Sequence, residues 1–550
     1  MRALFIAVIL AVGLPIFSFS QEVVVRPGES LQTAIDAAPA GAVIVLSEGR
    51  WEENVKIEKS LTLRGTGADV TVISGVEEGY PVVWIAGPDG GEPISVVIEG
   101  LSITGAAGEC ANRDKGICAY GVLVQGTAYA EIAGCTVSGN MHGVGLACSA
   151  RAYITGCTIS ENWNGVSLSG SSQATITDCT ISNGGGGIDL RDSARAEITD
   201  NLIQDNLEAG ILSVSDGQVT GINNTMRDNG VDLWGNLPSG LRVPLMEATQ
   251  QEIQLPDPAY PTLQHAVDAL LPGGRLILGD VSYAGGVTID KDLLIKMEEG
   301  TEPRIEGGPA VISLVGTARV KLSGLLLTGG RYGLVGGATV QTEVTSCTIS
   351  ENETGVFLWG STQAVITSST ILGNKGVGIG LAGSARAEIS GSTISESYFG
   401  ISIYGTAQAS ISDCTISGNW GVGIGLHRSS LAKIVGCTIS GNSGVGIGLA
   451  DLAWAGISGC TISGGWDGIR LFESARATIE GNEIVNNEGY GVMLYQWPCY
   501  DTDEAFTGHV AGGGNNIPGP DAPDGNKVGA VCPSPELDFL MTEEGGSWSP

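Results

Sequence analysis

The sequence predicts an all-β solenoid, a right-handed parallel β-helix, on the basis of one repeat and its composition. A unit of about 22 residues recurs along the chain and is rich in Gly, Ser, Thr, Val and Ile. A fixed period of this length is typical of solenoids. One position holds Cys, Ser or Asn in each unit, at Cys135, Cys157, Cys179, Asn201, Cys347, Ser369, Ser392, Cys414, Cys437, Cys460 and Asn482.

Within each unit, short runs alternate apolar with small polar residues, as Ile401 and Ile403 alternate with Ser402 and Tyr404. Alternation with period two indicates strands that face inward and outward by turns. A leucine-rich repeat has a similar period, but this unit lacks the helix formers that such a repeat needs. Three short strands per unit would close one coil, and the inward side chains of successive coils would stack.

An asparagine near the end of most units fits the same geometry. Stacked at about 4.8 Å, such side chains can bond one another as a ladder, in a turn that tolerates left-handed backbone. We therefore interpret these residues as structural: Asn140, Asn162, Asn206, Asn229, Asn352, Asn374, Asn419, Asn442 and Asn487.

The start of the repeat region occurs twice, at an offset of 232 residues, so that Leu31 matches Leu263 and Lys59 matches Lys291. This duplication predicts two tandem β-helices, each with a short N-terminal capping helix, at about 30–38 and 262–270. We place the β-helices at 21–240 and 261–496, a linker at 241–260 and a loop-rich C-terminal cover at 497–550. Each capping helix would cover an open end of the stacked strands.

Residues 1–20 combine Arg2, an apolar run and small residues before Gln21, which predicts a secretory signal peptide. We therefore expect a secreted, periplasmic or cell-surface protein without a transmembrane segment after cleavage. The net charge of −32 argues against nucleic acid and anionic membranes as partners.

Twelve cysteines in an exported chain suggest disulfides. Cys110 and Cys118 lie together in an insertion, and Cys499 and Cys532 bracket the irregular C-terminus, so we predict these two pairs. The repeat cysteines share one inward site on adjacent coils, where parallel Cβ vectors do not converge as a disulfide requires. We expect them to be buried free thiols.

The two openings, LQTAIDAAPAGAVIVLSEGRWEENVKIEKSLTLRG and LQHAVDALLPGGRLILGDVSYAGGVTIDKDLLI, resemble the start of pectin-lyase-like β-helix proteins. The I-x-x-C/N-x-I-S-x-N units resemble parallel β-helix repeats, including those of the NosD-type periplasmic copper-accessory group. The resemblance implies the fold. It does not imply one activity, because the superfamily holds lyases, hydrolases, esterases, epimerases and members without catalysis.

The signature segments of the superfamily's enzymes are missing from the sequence, among them NTD…GHG…RIK, WIDH, RxPxxR, QDTL, LGRPW and DPHD. The remaining catalytic hypothesis rests on Asp189 and Asp232, placed at one outward strand position two coils apart, with Asp192 beside them. Two coil rises give about 9.6 Å, near the upper range for an inverting carboxylate pair. Surface decoration of an acidic protein is the interpretation that we favour over a catalytic pair.

Aromatic residues carry the binding hypothesis. Rings recur at one outward position of the second β-helix, and others follow in an adjoining turn, whereas the first β-helix holds Gln125, Ala147, Ser169 and Arg191 there, with Trp234 at its end. Rings in line can stack on sugars or on an apolar partner, although β-propensity alone also places aromatics in strands. The predicted platform is Phe357, Trp359, Tyr398, Tyr404, Trp420, His427, Trp466, Phe472 and Tyr495.

A second outward column could bond glycan hydroxyls, although solvated strand residues are the favoured interpretation. It contains Arg151, Gln173, Arg195, Arg319, Gln363, Arg386, Gln408 and Arg476. From these patterns we expect a non-catalytic protein that binds a polysaccharide, a cell-surface glycan or another envelope protein. A polysaccharide-cleaving or -modifying enzyme and a structural spacer are the alternatives. No cofactor and no metal site are predicted, and a bridging Ca²⁺ stays open.

Overall fold

Three short strands make up each coil of the structure, a computed structural model that describes residues 21–88, 92–112, 116–213, 217–496, 498–500 and 505–549. Nearly all strand pairs are parallel, and each strand pairs with the equivalent strand of the next coil. The predicted all-β parallel solenoid is therefore confirmed. The predicted signal peptide, residues 1–20, lies outside the described residues.

The strands up to Gly235 form three parallel sheets, which we name I, II and III and together call the first set. Sheet I contains Glu22–Val25, Val43–Leu46, Leu61–Arg64, Ser95–Glu99, Tyr129–Ala133, Arg151–Thr155, Gln173–Thr177, Arg195–Thr199 and Gln218–Thr220. Sheet II contains Gly49–Glu52, Thr71–Ser74, Ser102–Thr104, Thr136–Ser138, Thr158–Ser160, Thr180–Ser182, Leu202–Gln204 and Thr225–Arg227. Sheet III contains Val55–Ile57, Val83–Ala86, Tyr120–Gln125, His142–Leu146, Asn164–Leu168, Gly186–Leu190, Ala209–Ser213 and Val231–Gly235.

The strands from Gln250 onward form a second set, in which sheets IV, V and VI are equivalent to sheets I, II and III. Sheet IV contains Gln250–Leu255, Leu270–Leu278, Leu293–Met297, Arg319–Ser323, Gln341–Thr345, Gln363–Thr367, Arg386–Ser390, Gln408–Ser412, Leu431–Val435, Trp454–Ser458, Arg476–Glu480, His509–Gly513 and Gly546–Trp548. Sheet V contains Ser282–Ala284, Arg304–Glu306, Leu326–Thr328, Thr348–Ser350, Thr370–Leu372, Thr393–Ser395, Thr415–Ser417, Thr438–Ser440, Thr461–Ser463 and Glu483–Val485. Sheet VI contains Val287–Ile289, Ala310–Leu314, Tyr332–Gly336, Thr354–Leu358, Val377–Leu381, Phe399–Ile403, Ile424–Leu426, Ile447–Leu449, Ile469–Leu471, Tyr490–Leu494 and Gly529–Cys532.

The helices are Leu31–Ala37 and Leu263–Ala269, with a 3-10 turn at Asp538–Met541. Ser30 and Thr262 occupy the two helix N-caps, where each side chain accepts a backbone N–H three residues on. Lys59 and Lys291 donate to the carbonyls of the two helix C-termini at 2.6 and 2.7 Å. A cation there also compensates the helix dipole. The repeated sequence therefore builds the same local structure twice.

The core of each coil is a stack of inward apolar residues. Ile349, Ile371 and Ile394 are in register on successive strands of sheet V and are fully buried. Each such side chain contributes about 1.5–3 kcal/mol by its removal from water. Because the pattern repeats in every coil, the buried residues up to Leu241 form one main cluster and those from Ile253 onward form another.

The predicted asparagine ladder is present. Asn140 Nδ2 donates to Asn162 Oδ1 at 3.1 Å, and Asn419 Nδ2 donates to Asn442 Oδ1 at 2.8 Å. The predicted left-handed backbone lies one residue earlier, as at Glu161 with φ 56°. The asparagine is instead buried, because its amide must point inward to bond the next coil.

Strands extend into two segments that the sequence did not predict as strands. Gln250–Leu255, within the predicted linker, pairs with Leu270–Leu278, and the C-terminal segment adds His509–Gly513 to the same sheet. Gly546–Trp548 then pairs antiparallel with His509–Gly513. These segments are Gly-rich or polar, so the alternation that marks the other strands is weak. The division into domains itself stays a prediction.

Both predicted disulfides are present, Cys110–Cys118 and Cys499–Cys532. The repeat cysteines are free and buried, and their thiols donate to backbone carbonyls, as Cys157 Sγ does to Ile132 O at 3.4 Å. Burial raises the pKa of the Cys347 thiol, which keeps it protonated. Cys148, in contrast, is an exposed free cysteine.

The end of the first set packs against the start of the second set through an aromatic cluster, which we call the junction. Trp234 from sheet III meets Tyr332 from sheet VI, with ring centroids 4.9 Å apart. Phe357 and Trp359 continue the cluster, and Ser313 Oγ donates to the carbonyl of Leu233 at 2.7 Å. The junction therefore covers part of the outer faces of sheets III and VI.

Candidate functional site

The predicted carboxylate pair does not form. Asp189 is in register with Leu212 and, one coil further, with Trp234, so Asp232 is not at the equivalent position. The coil from Asp189 to Leu212 has 23 residues and the next has 22, so the equivalent position is Trp234, two residues beyond Asp232. The predicted geometry for a pair with Asp232 is therefore wrong.

Each predicted aspartate has a separate environment. Asp189 is 5% exposed and accepts from Arg191 Nε at 2.9 Å. Asp192 lies in a turn with φ 56°, where its carboxylate accepts the N–H of Gly170. Asp232 lies beside the buried ion pair of Arg242 and Asp268, and burial raises its pKa. The three carboxylates therefore do not lie together on one face.

The aromatic platform is interrupted at its start. Trp359 is 7% exposed, and its neighbour Phe357 packs against Tyr332 and Trp359 in the junction. The prediction that these two rings face a ligand is wrong, because the first set covers this end of sheet VI. Trp234 aligns with the position of Phe357, not with that of Trp359.

The other predicted rings, which follow the strands of sheet VI, lie in two pairs. Tyr404 and His427 lie 5.9 Å apart, and Phe472 and Tyr495 lie 4.7 Å apart, centroid to centroid. Arg428 stands over the Tyr404 ring at 4.4 Å, and Tyr500 packs on Tyr495. These contacts leave two separate ring pairs, one on each side of Ala450, in place of a continuous platform.

The rings predicted in the adjoining turn are exposed. They are Tyr398, Trp420 and Trp466, and each follows the ladder-asparagine position of its coil. The sequence analysis missed the same position in the first set, where large apolar side chains are also exposed: Met141, Trp163 and Leu207. A search for the residue after each ladder asparagine would have found them.

A groove of about 730 Å³ runs along the outer face of sheet IV. One wall is a row of long polar side chains in register, Arg319, Gln341, Gln363, Arg386 and Gln408. The other wall lies two residues further along each strand, about 6.6 Å away. It consists of Lys321, Glu343, Val365, Glu388 and Ser410.

Small residues set the floor of this groove. Ala364, Ala387 and Ala409 lie between the two rows and point inward, with 4–7% of their surface exposed. Strand alternation explains the shape, since each long outward pair flanks one short inward residue. Five coils at about 4.8 Å give a length of about 19 Å between the first and last coil.

The polar row ends on apolar side chains. Leu431 and Trp454 occupy the same column on the next two coils, and the Trp454 indole lies across Gly456, where a Cβ would come within 3.1 Å of the ring. The glycine therefore lets the ring fold over the strand. Trp454 therefore stands in the column of the polar row two coils beyond the groove, and the sequence did not mark it as a binding residue.

Sheet I carries a smaller groove of about 360 Å³ at the equivalent place. Its walls include Arg151, Gln173 and Arg195 in register, and Tyr129 lies in the same column. The column that the sequence analysis ranked below the aromatic platform thus lines a groove in both sets.

Charge distinguishes the grooves from the rest of this acidic chain. Three basic and two acidic residues line the sheet IV groove, and two arginines and one glutamate line the sheet I groove. Lys321 pairs with Glu343 at 2.8 Å, whereas the side chains of Gln363, Arg386 and Gln408 bond no other described residue. Free amide and guanidinium groups are therefore available along one wall.

Among the residues that the structure describes, no group of three or more His, Cys, Asp or Glu side chains is placed to hold a metal ion. No helix in the same part of the chain has the length and apolar character needed to span a membrane.

The chain belongs to the family described as right handed beta helix region, whose model matches residues 96–239, 332–456 and 453–508, more than half of the chain. This membership confirms the predicted handedness and the resemblance to pectin-lyase-like repeats. No curated protein matches the chain.

Several solved structures are similar. The Yersinia enterocolitica family 28 exopolygalacturonase is 12% identical with a TM-score of 0.35, covering 73% of this chain and 79% of that protein. The bacteriophage phi29 gene product 12 N-terminal fragment is 13% identical with a TM-score of 0.32, covering 88% and 90%. The PL6 family alginate lyase AlyGC is 12% identical with a TM-score of 0.28, covering 84% and 99%. At these TM-scores, the likeness carries no information about the function of the chain.

Proposed function

We propose that this protein binds an extended polysaccharide along the sheet IV groove, as an exported protein of the cell envelope and without catalysis. The observation that carries the proposal is the groove itself, lined by unpartnered Gln363, Arg386 and Gln408, with Trp454 in the same column two coils beyond Gln408. Planar amides and guanidinium groups bond hydroxyls, and an indole stacks on a sugar face.

The shape favours a polymer. A groove that is about 19 Å long and open along its length holds several sugar units in a row, and the equivalent sheet I groove offers a second segment. Several weak contacts then act together, because each bound unit raises the effective concentration of the next. The two disulfides support export, since disulfides persist in oxidising compartments.

Catalysis is the competing function, and its best carriers in the groove are Glu343 and Glu388. They lie two coils apart in one row, about 9.6 Å between backbones, near the upper range for an inverting pair. Glu343, however, is engaged in an ion pair with Lys321 at 2.8 Å, so its carboxylate already has a partner within the groove. We therefore favour binding alone.

A glycan array and a reducing-sugar assay on the same polysaccharides separate these functions. Binding to at least one polysaccharide with no release of reducing ends, by the native protein and by the Glu343→Gln, Glu388→Gln variant alike, is the expected result. Release by the native protein that the variant lacks would establish the enzyme. An array without any retained polysaccharide would exclude the proposed function.

A further inference from the structure

A cavity of about 330 Å³ lies in the turn between sheets V and VI, apart from the grooves. We call it the turn cavity. It is lined by residues of three successive coils, Gly373, Asn374, Lys375, Glu396 and Trp420. Its volume is less than half that of the sheet IV groove and at the lower end of the range for small-molecule sites. The turn cavity is therefore matched to one small molecule and not to a polymer.

The turn cavity exists because one ring of the turn is turned aside. Lys375, Tyr398 and Trp420 each follow the ladder position of successive coils. The Tyr398 ring packs edge-on against Phe399, with centroids 4.8 Å apart, and it does not line the cavity. The space between Lys375 and Trp420 is therefore open over two coil rises, about 9.6 Å along the solenoid.

Glycines leave room on both sides of Glu396. Gly373 and Gly418 hold the equivalent turn position on the two neighbouring coils, with φ of 63° and 64°. Neither has another atom within 4 Å of the place where a Cβ would stand. Glu396 has the same left-handed backbone, with φ 54°, and is the one side chain at this position on the three coils. Its carboxylate is therefore not crowded by the residues before and after it in the column.

The two charged side chains of the turn cavity have no partner in the described part of the chain. Lys375 and Glu396 are both exposed, and neither makes an ion pair or a side-chain hydrogen bond with the other or with any other described residue. Glu353, one coil before Lys375 in the same column, is instead paired with Arg331 at 3.6 Å. An ammonium and a carboxylate on adjacent coils are therefore both available to a ligand.

Trp420 supplies the apolar wall of the turn cavity, and it is 68% exposed. The face of an indole attracts a cation. Among the described residues, no Lys or Arg side chain stands over the Trp420 ring as Arg428 does over the Tyr404 ring. The ring can therefore receive a cation from a ligand.

A ligand that carries both charges matches the turn cavity best, because a singly charged ligand would desolvate either Lys375 or Glu396 without pairing it. We propose that the turn cavity binds a free α-amino acid. The ammonium of the ligand lies between Trp420 and Glu396, and its carboxylate pairs with Lys375. This site takes a small zwitterion, whereas the grooves take a polysaccharide.

Saturation-transfer difference NMR of the full chain, titrated with each of the standard amino acids, tests the proposal. At least one amino acid should bind. Its N-acetyl derivative lacks the ammonium and its amide lacks the carboxylate. Each derivative should bind about threefold to fivefold more weakly, as expected for the loss of one solvent-exposed ion pair.

Substitutions assign the two charges of the ligand. Glu396→Gln should abolish the preference over the N-acetyl derivative, and Lys375→Gln the preference over the amide. Trp420→Ala should weaken binding about threefold to fivefold through the lost cation–π contact. Trp466→Ala is the matched control, because Trp466 lies in the same column, is 58% exposed and does not line the cavity. It should bind like the native protein.

Three results would overturn the turn cavity as an amino-acid site. They are no binding by any amino acid of the panel, equal binding of the amino acid and its two derivatives, and an equal loss of affinity in Trp466→Ala and Trp420→Ala.

A groove variant, Gln363→Ala with Arg386→Ala and Gln408→Ala, separates this site from the proposed function. It should keep native affinity for the amino acid, and Trp420→Ala should keep native affinity for the polysaccharide. Loss of amino-acid binding in the groove variant would place the ligand in the groove and overturn the turn cavity. Amino-acid binding is measured without a polysaccharide, so either proposal can fail while the other stands.

Discussion

Trp234 of the first set and Tyr332 of the second set meet edge-on, with ring centroids 4.9 Å apart, and Trp359 is buried in the same cluster. Two residues almost a hundred positions apart in the sequence thus join the outer faces of two sheets. The contact decides which outward rings are available for binding and which hold the sets together.

Removal of a junction ring should destabilise the protein. Trp359→Ala is expected to lower the free energy of unfolding by about 3 kcal/mol, as for other buried tryptophans. Trp420→Ala, at a site that is 68% exposed, should change it by no more than about 0.5 kcal/mol. Urea denaturation measures both. Equal effects of the two substitutions would contradict the assignment of Trp359 to a buried contact.

Removal of the charge of Asp268 and removal of the charge of Asp232, two buried carboxylates near the junction, should have different effects on stability. Burial opposes the charge of Arg242, but its hydrogen bonds to Asp268 raise its pKa and keep it charged. Asp268→Asn removes the hydrogen-bonded carboxylate partner of that charge, leaving only Asp232 at 4.0 Å, and should cost about 3–5 kcal/mol. Asp232→Asn should be neutral or stabilising at pH 7, because burial raises the pKa of Asp232 and disfavours its ionised form.

The pH dependence of the contribution of Asp232 to stability follows from the direction of its pKa shift. The folded state of Asp232 binds its proton more tightly than the unfolded state, so its stability contribution falls as pH rises from about 3.8 through the raised folded pKa. The difference in unfolding free energy between the native protein and Asp232→Asn should therefore move in favour of the variant over that range. A difference that is constant with pH would contradict the burial of this carboxylate.

Cysteine reactivity tests the inward stacking. Under native conditions an alkylating reagent should modify Cys148, which is exposed, and leave the seven buried thiols unmodified. After unfolding without reductant, all eight should react while Cys110–Cys118 and Cys499–Cys532 stay linked. Mass mapping reads both results. A Cys135–Cys157 or Cys414–Cys437 linkage would contradict the parallel arrangement of the ladder.

The repeat made the coils predictable, because every coil satisfies the same local rules. Inward Ile371 and Ile394, the ladder Asn419 and the free Cys414 all follow from spacing and alternation, and each is where the spacing placed it. The register between Asp189 and the following coil could not be predicted in the same way. The coil from Asp189 to Leu212 has 23 residues, one more than the preceding coil, and counting the alternation within a strand does not detect the extra residue. The column then continues to Trp234.

The docking of the two sets could not be predicted from the sequence, for a different reason. Nothing local distinguishes Trp359, which is buried in the junction, from Tyr404, which stands in the same column two coils later and is exposed. The difference arises from a non-local contact with Trp234. The groove depends on local alternation alone, and its column of Arg and Gln was accordingly visible in the sequence.

The central claim is that the sheet IV groove binds an extended polysaccharide, and a calorimetric titration with oligosaccharides of increasing length tests it most directly. Affinity should rise with length until the ligand fills about 19 Å and then level off. With Gln363→Ala, Arg386→Ala and Gln408→Ala together, affinity should fall about tenfold to a thousandfold, since each lost hydrogen bond is worth about 0.5–1.5 kcal/mol.

Thr370→Ala, Thr393→Ala and Thr415→Ala change the same three coils on sheet V and provide the matched control. We expect native affinity for this control and a loss of affinity only in the groove variant. Native affinity in the groove variant, or an equal loss in both variants, would contradict polysaccharide binding in the sheet IV groove.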